Sequence, residues 1–303
     1  MNHYSRRSFL KSTVLSSLLL TQSFRKAYSK DEADNTNTTS NKIVVFSKYL
    51  QNLHWENLAV ACEDCGLDGI DLTVRDDGHV IPEKVEEDLP KVVEIFRKNN
   101  LDVVMITTRL LSAEEPYAEQ ILKTAGALKI PYARIGYHHY KDKINIKEQI
   151  SNVKKDLQGL TTLAEKYNVI LGYHNHSGLN NFGGPIWDLI EVFQEINSPY
   201  LGSNFDIGHV KAEGFGGAWK ANTIAILPWI RMIAVKDFTV ENNKTNWVPL
   251  GKGCVPVKEM FDIILKQGAF KGPISIHMEY NTKSEAEKLD YIKASAQMIK
   301  SII

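Results

Sequence analysis

The chain has 303 residues, with 36 Lys and Arg set against 36 Asp and Glu, enough for one large core. That balance hides an asymmetry: residues 1–29 hold five bases (Arg6, Arg7, Lys11, Arg25, Lys26) and no acid, leaving the rest of the chain five bases short of its acids. An acidic body lacks the basic footprint that duplex binding demands, which argues against nucleic acid as a partner.

Ser5-Arg-Arg-Ser-Phe-Leu-Lys11 opens a basic region, Val14 to Leu20 is a short apolar run, and Ala27-Tyr-Ser29 supplies small residues at a cleavage site. Residues 1–29 therefore read as a twin-arginine-type signal peptide, an address for the twin-arginine export machinery rather than an anchor. The expected location is exported and periplasmic, membrane-associated only if the leader is kept. Residues 30–41, rich in Asp, Asn, Thr and Ser, read as a disordered linker. No later apolar run is long enough for a stable membrane span.

From residue 42 onward, strand and helix patterns alternate. Residues 43–47 read as the first strand, and about 55–65 as a helix stopped by Gly66. Strands at 69–74, 102–106 and 132–136 follow, separated by helices at 82–99 and about 116–129, and a fourth helix spans 146–167. Four more strand runs start near residues 169, 201, 230 and 273. Their helices begin near Pro185, near Trp219, at Pro256 and at Ser284. Eight strands each followed by a helix predict a (β/α)8 TIM barrel, one domain over residues 42–303. A doubly wound sheet uses the same alternation, but no Gly-x-Gly-x-x-Gly follows the first strand. Cys62, Cys65 and Cys254 read as packing residues without the partners of a zinc or redox site.

Chemistry concentrates where the later strands end. The runs ending in His174-Asn-His176, in Asp206-Ile-Gly-His209, in Lys236-Asp237 and in His277-Met-Glu279 each turn from apolar to polar at the carboxyl end, where barrel enzymes keep their sites. His79, His138, His139, His174, His176, His209 and His277 all fall at predicted strand ends or in the following loops, a bias that random surface histidines would not show. Alternate strand residues share a face, which pairs His174 with His176 and His277 with Glu279. His174, Asp206 and Glu279 together offer the imidazole and carboxylate mix that suits a divalent metal ion. Glu279 is the first candidate for catalytic base, followed by His176 and His277. Lys236, Arg75 and Arg109 are cations able to grip hydroxyls or a carboxylate, with His138 and His209 as further substrate contacts. Lys48 and Lys211 read as solvated surface, and Trp187, Trp219, Trp229 and Trp247 mostly as helix–barrel filling.

Tyr173-His-Asn-His176, Phe205-Asp-Ile-Gly-His209, Val235-Lys-Asp237, Pro249-Leu-Gly-Lys-Gly253 and Ser275-Ile-His-Met-Glu-Tyr280 together resemble the xylose isomerase-like TIM barrels, the sugar phosphate isomerase/epimerase family, from about Lys42 onward. The resemblance implies one divalent ion (Mn, Co, Zn or Mg) held by Glu, Asp, His and Glu at the ends of strands five to eight. Those positions fall here on His174, Asp206, Ala234 and Glu279. Ala234 cannot ligate; the Lys236 ammonium could stand near the carboxylates and oppose an ion, but the expectation is a retained, altered metal site of His174, Asp206 and Glu279 completed by His209, His176 or water. The implied activity is that of a carbohydrate isomerase or epimerase working by proton abstraction beside a carbonyl. Export favours a non-phosphorylated sugar. The same enolisation of a keto-glycoside would make a lyase, and loss of the ligand at Ala234 would suit a sugar-binding barrel without catalysis. An abasic-site endonuclease on this fold would need a larger metal cluster and a basic face. Oligomeric state is left open.

Overall fold

Runs such as Ile-Val-Val-Phe and Ile-Arg-Met-Ile-Ala-Val are short, rich in branched side chains and buried along almost their whole length, as strands of a parallel sheet sheathed by helices must be. The computed structural model describes residues 41–242 and 244–303. The expected leader and residues 30–40 of the expected linker lie outside the described residues. Eight parallel strands close a barrel: β1 (Ile43–Phe46), β2 (Gly69–Thr73), β3 (Asp102–Thr107), β4 (Tyr132–Arg134), β5 (Ile170–His174), β6 (Leu201–Asp206), β7 (Ile230–Val235) and, after an antiparallel hairpin of β8 (Asp237–Glu241) and β9 (Lys244–Val248), β10 (Ile274–Ile276). β10 pairs with both β7 and β1, which completes the ring.

The helices are α1 (Trp55–Asp64), α2 (Val85–Lys98), α3 (Ala118–Ala127), α4 (Ile146–Lys166), α5 (Trp187–Ile196), α6 (Ile207–Glu213), α7 (Ala218–Ile226), α8 (Val257–Phe261) and α9 (Glu285–Lys300). In α2 the buried residues Val85, Leu89, Val92, Val93 and Phe96 recur at helical spacing and face the barrel. α4 starts where Asn145 Oδ1 accepts from the Lys147 N–H at 2.9 Å, and α9 where Ser284 Oγ accepts from that of Glu287 at 3.1 Å. Val44, Val104, Met105 and Met232 form a small cluster distinct from the main core. No helix among the described residues is long and apolar enough to cross a membrane.

The sequence pattern locates all eight barrel strands and misses two elements. A loop was expected after Asp206, yet α6 begins there at once, because Asp206 Oδ1 caps it by accepting from the His209 N–H at 2.8 Å. The β8–β9 hairpin, turning at Asn242 with φ 51°, was not foreseen.

Strand β6 is held close to the segment before β7, and Gly202 makes that possible: a Cβ there would lie 2.1 Å from the backbone oxygen of Trp229. Gly202→Ala is expected to cost about 1–3 kcal/mol, the usual range for overpacking, read as a lower urea midpoint. An unchanged midpoint would show that the strands have room to part.

Candidate active site

Four neighbouring strands, β5, β6, β7 and β10, deliver polar groups to one rim. β5 ends in His174 and β6 in Asp206, β7 runs through Ala234 toward Lys236, and β10 leads to His277 and Glu279; all but Glu279 are buried. Asn175 fixes Asp206 by its backbone, accepting from its N–H at 2.7 Å and donating to its carbonyl at 3.1 Å. With Oδ1 used by the α6 cap, Asp206 Oδ2 points into the centre, 3.6 Å from His174 Nε2.

Lys236 fills the middle. Its Nζ lies 2.6 Å from Glu279 Oε1, 2.5 Å from His209 Nε2 and 3.2 Å from Asp206 Oδ2. The ring of Trp247, on β9, is 4.3 Å away. An ammonium only donates, so His209 accepts at Nε2 and carries its proton on Nδ1, which donates to Ser177 Oγ at 2.7 Å.

Burial sets the protonation states. It pushes Asp206 up to about 6 although Lys236 pulls the other way. It pushes His174, His209 and His277 well below the ordinary imidazole value, helped by the charges of Arg134 and Lys236. At Glu279 burial works upward too, but the Lys236 charge and hydrogen bond outweigh it and hold the carboxyl below its usual value. Two acids on one lysine thus shift in opposite directions, because Asp206 has lost all its water and Glu279 has not.

A cavity of about 500 Å³ opens beside this centre, within the roughly 300–1,000 Å³ of small-molecule sites. His174, His176, His277 and Glu279 line it, with Lys48, Arg75, Arg109 and Arg134. Arg75 and Arg109 both pair with Asp77, at 3.1 and 2.9 Å. Arg134, the last residue of β4, packs 5.1 Å from the Phe46 ring, and its Nε and Nη1 are buried without a partner. His277 stacks on Phe46 at 4.9 Å, and its Nε2 is likewise without a partner. Unmet buried donors are costly unless a ligand oxygen reaches them.

The residues singled out in the sequence divide accordingly. His174, His176, His277, Glu279, Arg75 and Arg109 reach the cavity, while Asp206, His209 and Lys236 are buried beside it and outside its lining. His138 is not brought in: its N–H donates to Tyr173 Oη at 2.6 Å, its Nε2 lies 3.4 Å from Asp156 Oδ2, and His139 lines the cavity instead. Lys48 is exposed, as expected, and also lines the cavity mouth, whereas Lys211 donates to the Phe215 carbonyl at 3.0 Å. His79 lies 3.1 Å from the hydroxyls of both Thr73 and Ser47. Trp247 lies over Lys236 and against α6, 5.2 Å from the His209 ring. Arg134 and Tyr49, both in the cavity wall, were missed. The signal for Arg134 was a lone guanidinium inside an apolar strand; Tyr49 gave none.

His174, Asp206 and His209 place one ligand atom each within 4.8 Å of one another, as do His176, His209 and Glu279. Such groupings could hold a metal ion, but the Lys236 ammonium already contacts residues of each, its Nζ 3.2 Å from Asp206 Oδ2 and 2.5 Å from His209 Nε2 beside the first and 2.6 Å from Glu279 Oε1 beside the second, so the residues present fit a dication poorly. A dication about 4 Å from an ammonium is repelled by roughly 8 kcal/mol at an effective dielectric constant of 20.

The family described as xylose isomerase-like TIM barrel matches residues 59–302 of the chain. No functionally curated protein matches it significantly. Among solved structures, the IOLI protein with a bound zinc atom superposes with a TM-score of 0.70 at 16 % identity, over 86 % of this chain and 97 % of its own. D-psicose 3-epimerase with D-tagatose, from Clostridium cellulolyticum H10, gives 0.68 at 9 % identity, over 86 % and 99 %. The probable 3-DHS dehydratase AsbF from Bacillus anthracis gives 0.66 at 16 %, over 86 % and 98 %. At these identities the likeness to solved structures is one of fold.

Inside the barrel, Asp71 on β2 accepts from Thr107 Oγ1 at 2.6 Å and from Ser275 Oγ at 2.8 Å. Burial nevertheless pushes its carboxyl up to about 6, against those bonds and the charges of Arg134 and Arg75. A carboxyl raised above its unfolded value of about 3.9 adds stability below that pH and loses it as pH rises through the folded value. Asp71→Asn keeps an acceptor and the shape without the ionisation. Relative to wild type it is expected to gain on the order of 2–3 kcal/mol between pH 4 and pH 8, measured by urea melts; parallel profiles would refute this.

Proposed function

The chain belongs to the xylose isomerase-like TIM barrel family, and from that premise we propose that it is a carbohydrate-modifying enzyme of the isomerase or epimerase kind. It draws a proton from the carbon beside a carbonyl of a non-phosphorylated sugar. The observation that carries this reading is Glu279, a carboxylate held ionised by Lys236 in a cavity wall where a guanidinium and an imidazole lack partners.

The steps follow from those groups. Glu279 takes the α-proton, and the electron pair of the broken C–H bond moves onto the carbonyl oxygen. The unmet N–H groups of Arg134 stabilise the enediolate that results. His277, kept neutral by burial, exchanges a hydrogen bond with the neighbouring hydroxyl. For isomerisation His277 carries the hydroxyl proton to the former carbonyl oxygen while Glu279 returns the abstracted proton to the former carbonyl carbon. For epimerisation Glu279 keeps the proton it took and a second acid of the cavity wall, the part given to His176, delivers one to the opposite face of the original carbon. An exported chain, as residues 1–29 read, meets free sugars rather than phosphorylated metabolites, so a ketose such as the D-tagatose bound by the psicose epimerase is the first substrate to try.

Incubated with free ketoses in deuterated water, the protein is expected to exchange the proton beside the carbonyl and to yield a second sugar, both visible by NMR. Release of an aglycone from keto-glycosides would reassign it as a lyase. Binding of sugar with no exchange would leave a sugar-binding barrel. Glu279→Gln is expected to lower kcat by roughly 10²–10⁴, the contribution of a positioned base, with sugar binding retained. Arg134→Met is expected to lower kcat/KM about 10- to 100-fold, as loss of a charged hydrogen bond of roughly 1.5–3 kcal/mol gives; an unchanged kcat/KM would mean that the guanidinium never meets the substrate.

A further inference from the structure

An ammonium has three N–H donors and no lone pair. Around Lys236 stand two hydrogen-bond acceptors, His209 Nε2 at 2.5 Å and Glu279 Oε1 at 2.6 Å, and an ion-pair partner, Asp206 Oδ2, at 3.2 Å. The Trp247 ring adds an electron-rich face at 4.3 Å. These are the surroundings of a bound cation, and the cation is already part of the chain.

Two small residues let it in. Ala234 pairs in register with Asp206 and lies two residues before Lys236, so a longer side chain there would stand beside Asp206 and compete for its carboxylate. Gly208 faces the stem of the lysine: a Cβ at that position would lie 2.6 Å from Lys236 Cγ. Ala234, the position where the family resemblance expects a ligating histidine, is thus the position whose loss of bulk opens room for the ammonium.

We propose that the Lys236 ammonium is the resident cation of this centre, standing in for the divalent ion that the resemblance implies, and that the protein works without bound metal. Exclusion of an ion does not depend on the proposed enolisation. Only the part of this charge in catalysis, keeping Glu279 ready to accept a proton, rests on that reading.

The full chain, produced in metal-supplemented medium and analysed by plasma mass spectrometry, is expected to carry far less than one equivalent of Zn, Mn, Co or Mg. Calorimetric titration of the chelator-treated protein with zinc chloride should show no stoichiometric binding. Lys236→Met keeps the stem, removes the charge and is expected to tighten zinc binding roughly 100-fold or more; Ala234→His/Lys236→Met should take up one equivalent. Circular dichroism establishes that each variant is folded. One equivalent of ion in the wild type that Asp206→Asn abolishes overturns the inference, and so does a folded Lys236→Met that binds zinc no better than wild type. If Lys236→Met does not fold, the metal content of the wild type decides alone. A wild type that is metal-free yet inert toward ketoses refutes the enolisation and leaves this inference standing, so the two can fail separately.

Discussion

The pairing of the first barrel strand with the last is the constraint from which the site follows. Ile43 meets Ile274, Val44 meets Ser275 and Val45 meets Ile276, and with that ladder made the carboxyl ends of all eight strands open on one rim. Closure brings together groups that the chain keeps far apart: Ser275 Oγ donates to Asp71, 204 residues away, and His277 stacks on Phe46. A sheet left open at this seam would lose the wall that carries Arg134, Phe46 and Glu279 as one surface.

Closure also confines charge where water is scarce. Burying a carboxylate or an ammonium costs several kcal/mol unless partners replace the lost hydration, and the centre meets that demand by sharing. Lys236 hydrogen-bonds His209 and Glu279 and stands 3.2 Å from Asp206 Oδ2 as its ion-pair partner. Asn175 and the α6 cap satisfy the backbone and Oδ1 of Asp206, and burial disfavours charge on the imidazoles. The cavity wall includes buried nitrogens of Arg134 and His277 without a hydrogen-bond partner, placed where an incoming molecule would meet them. Stability inside the barrel and recognition at its mouth are therefore parts of one electrostatic arrangement.

Much of this could be read from the chain, for identifiable reasons. Buried parallel strands are nearly continuous apolar runs, so their number and order, and hence the barrel, stand out against the amphipathic helices. The residues that close each run mark the rim, which is why His174, Asp206, His277 and Glu279 could be named together. Elements without a period of their own escaped. The seven residues of α6 are too few to show an amphipathic repeat. The β8–β9 hairpin has one apolar cross-strand pair, Phe238 with Trp247, and exposed polar residues for most of the remainder. Loop direction is equally invisible: consecutive residues of one loop, His138 and His139, turn to opposite surroundings, and nothing periodic says which faces the cavity. For Lys236 the sequence pattern favours a metal site over an ammonium at the centre, since the choice between rim and interior is made by side-chain torsions and by the small volumes of Ala234 and Gly208, which no periodicity shows.

A positive charge carried on a lysine stem behaves unlike one drawn from solution. It arrives with every polypeptide in a ratio of one to one, returns to its place whenever the chain refolds, and is lost neither by dilution nor to competing chelators in the medium. It brings a single unit of charge where a dication would bring two, and that unit is written in the gene rather than drawn from the compartment around it.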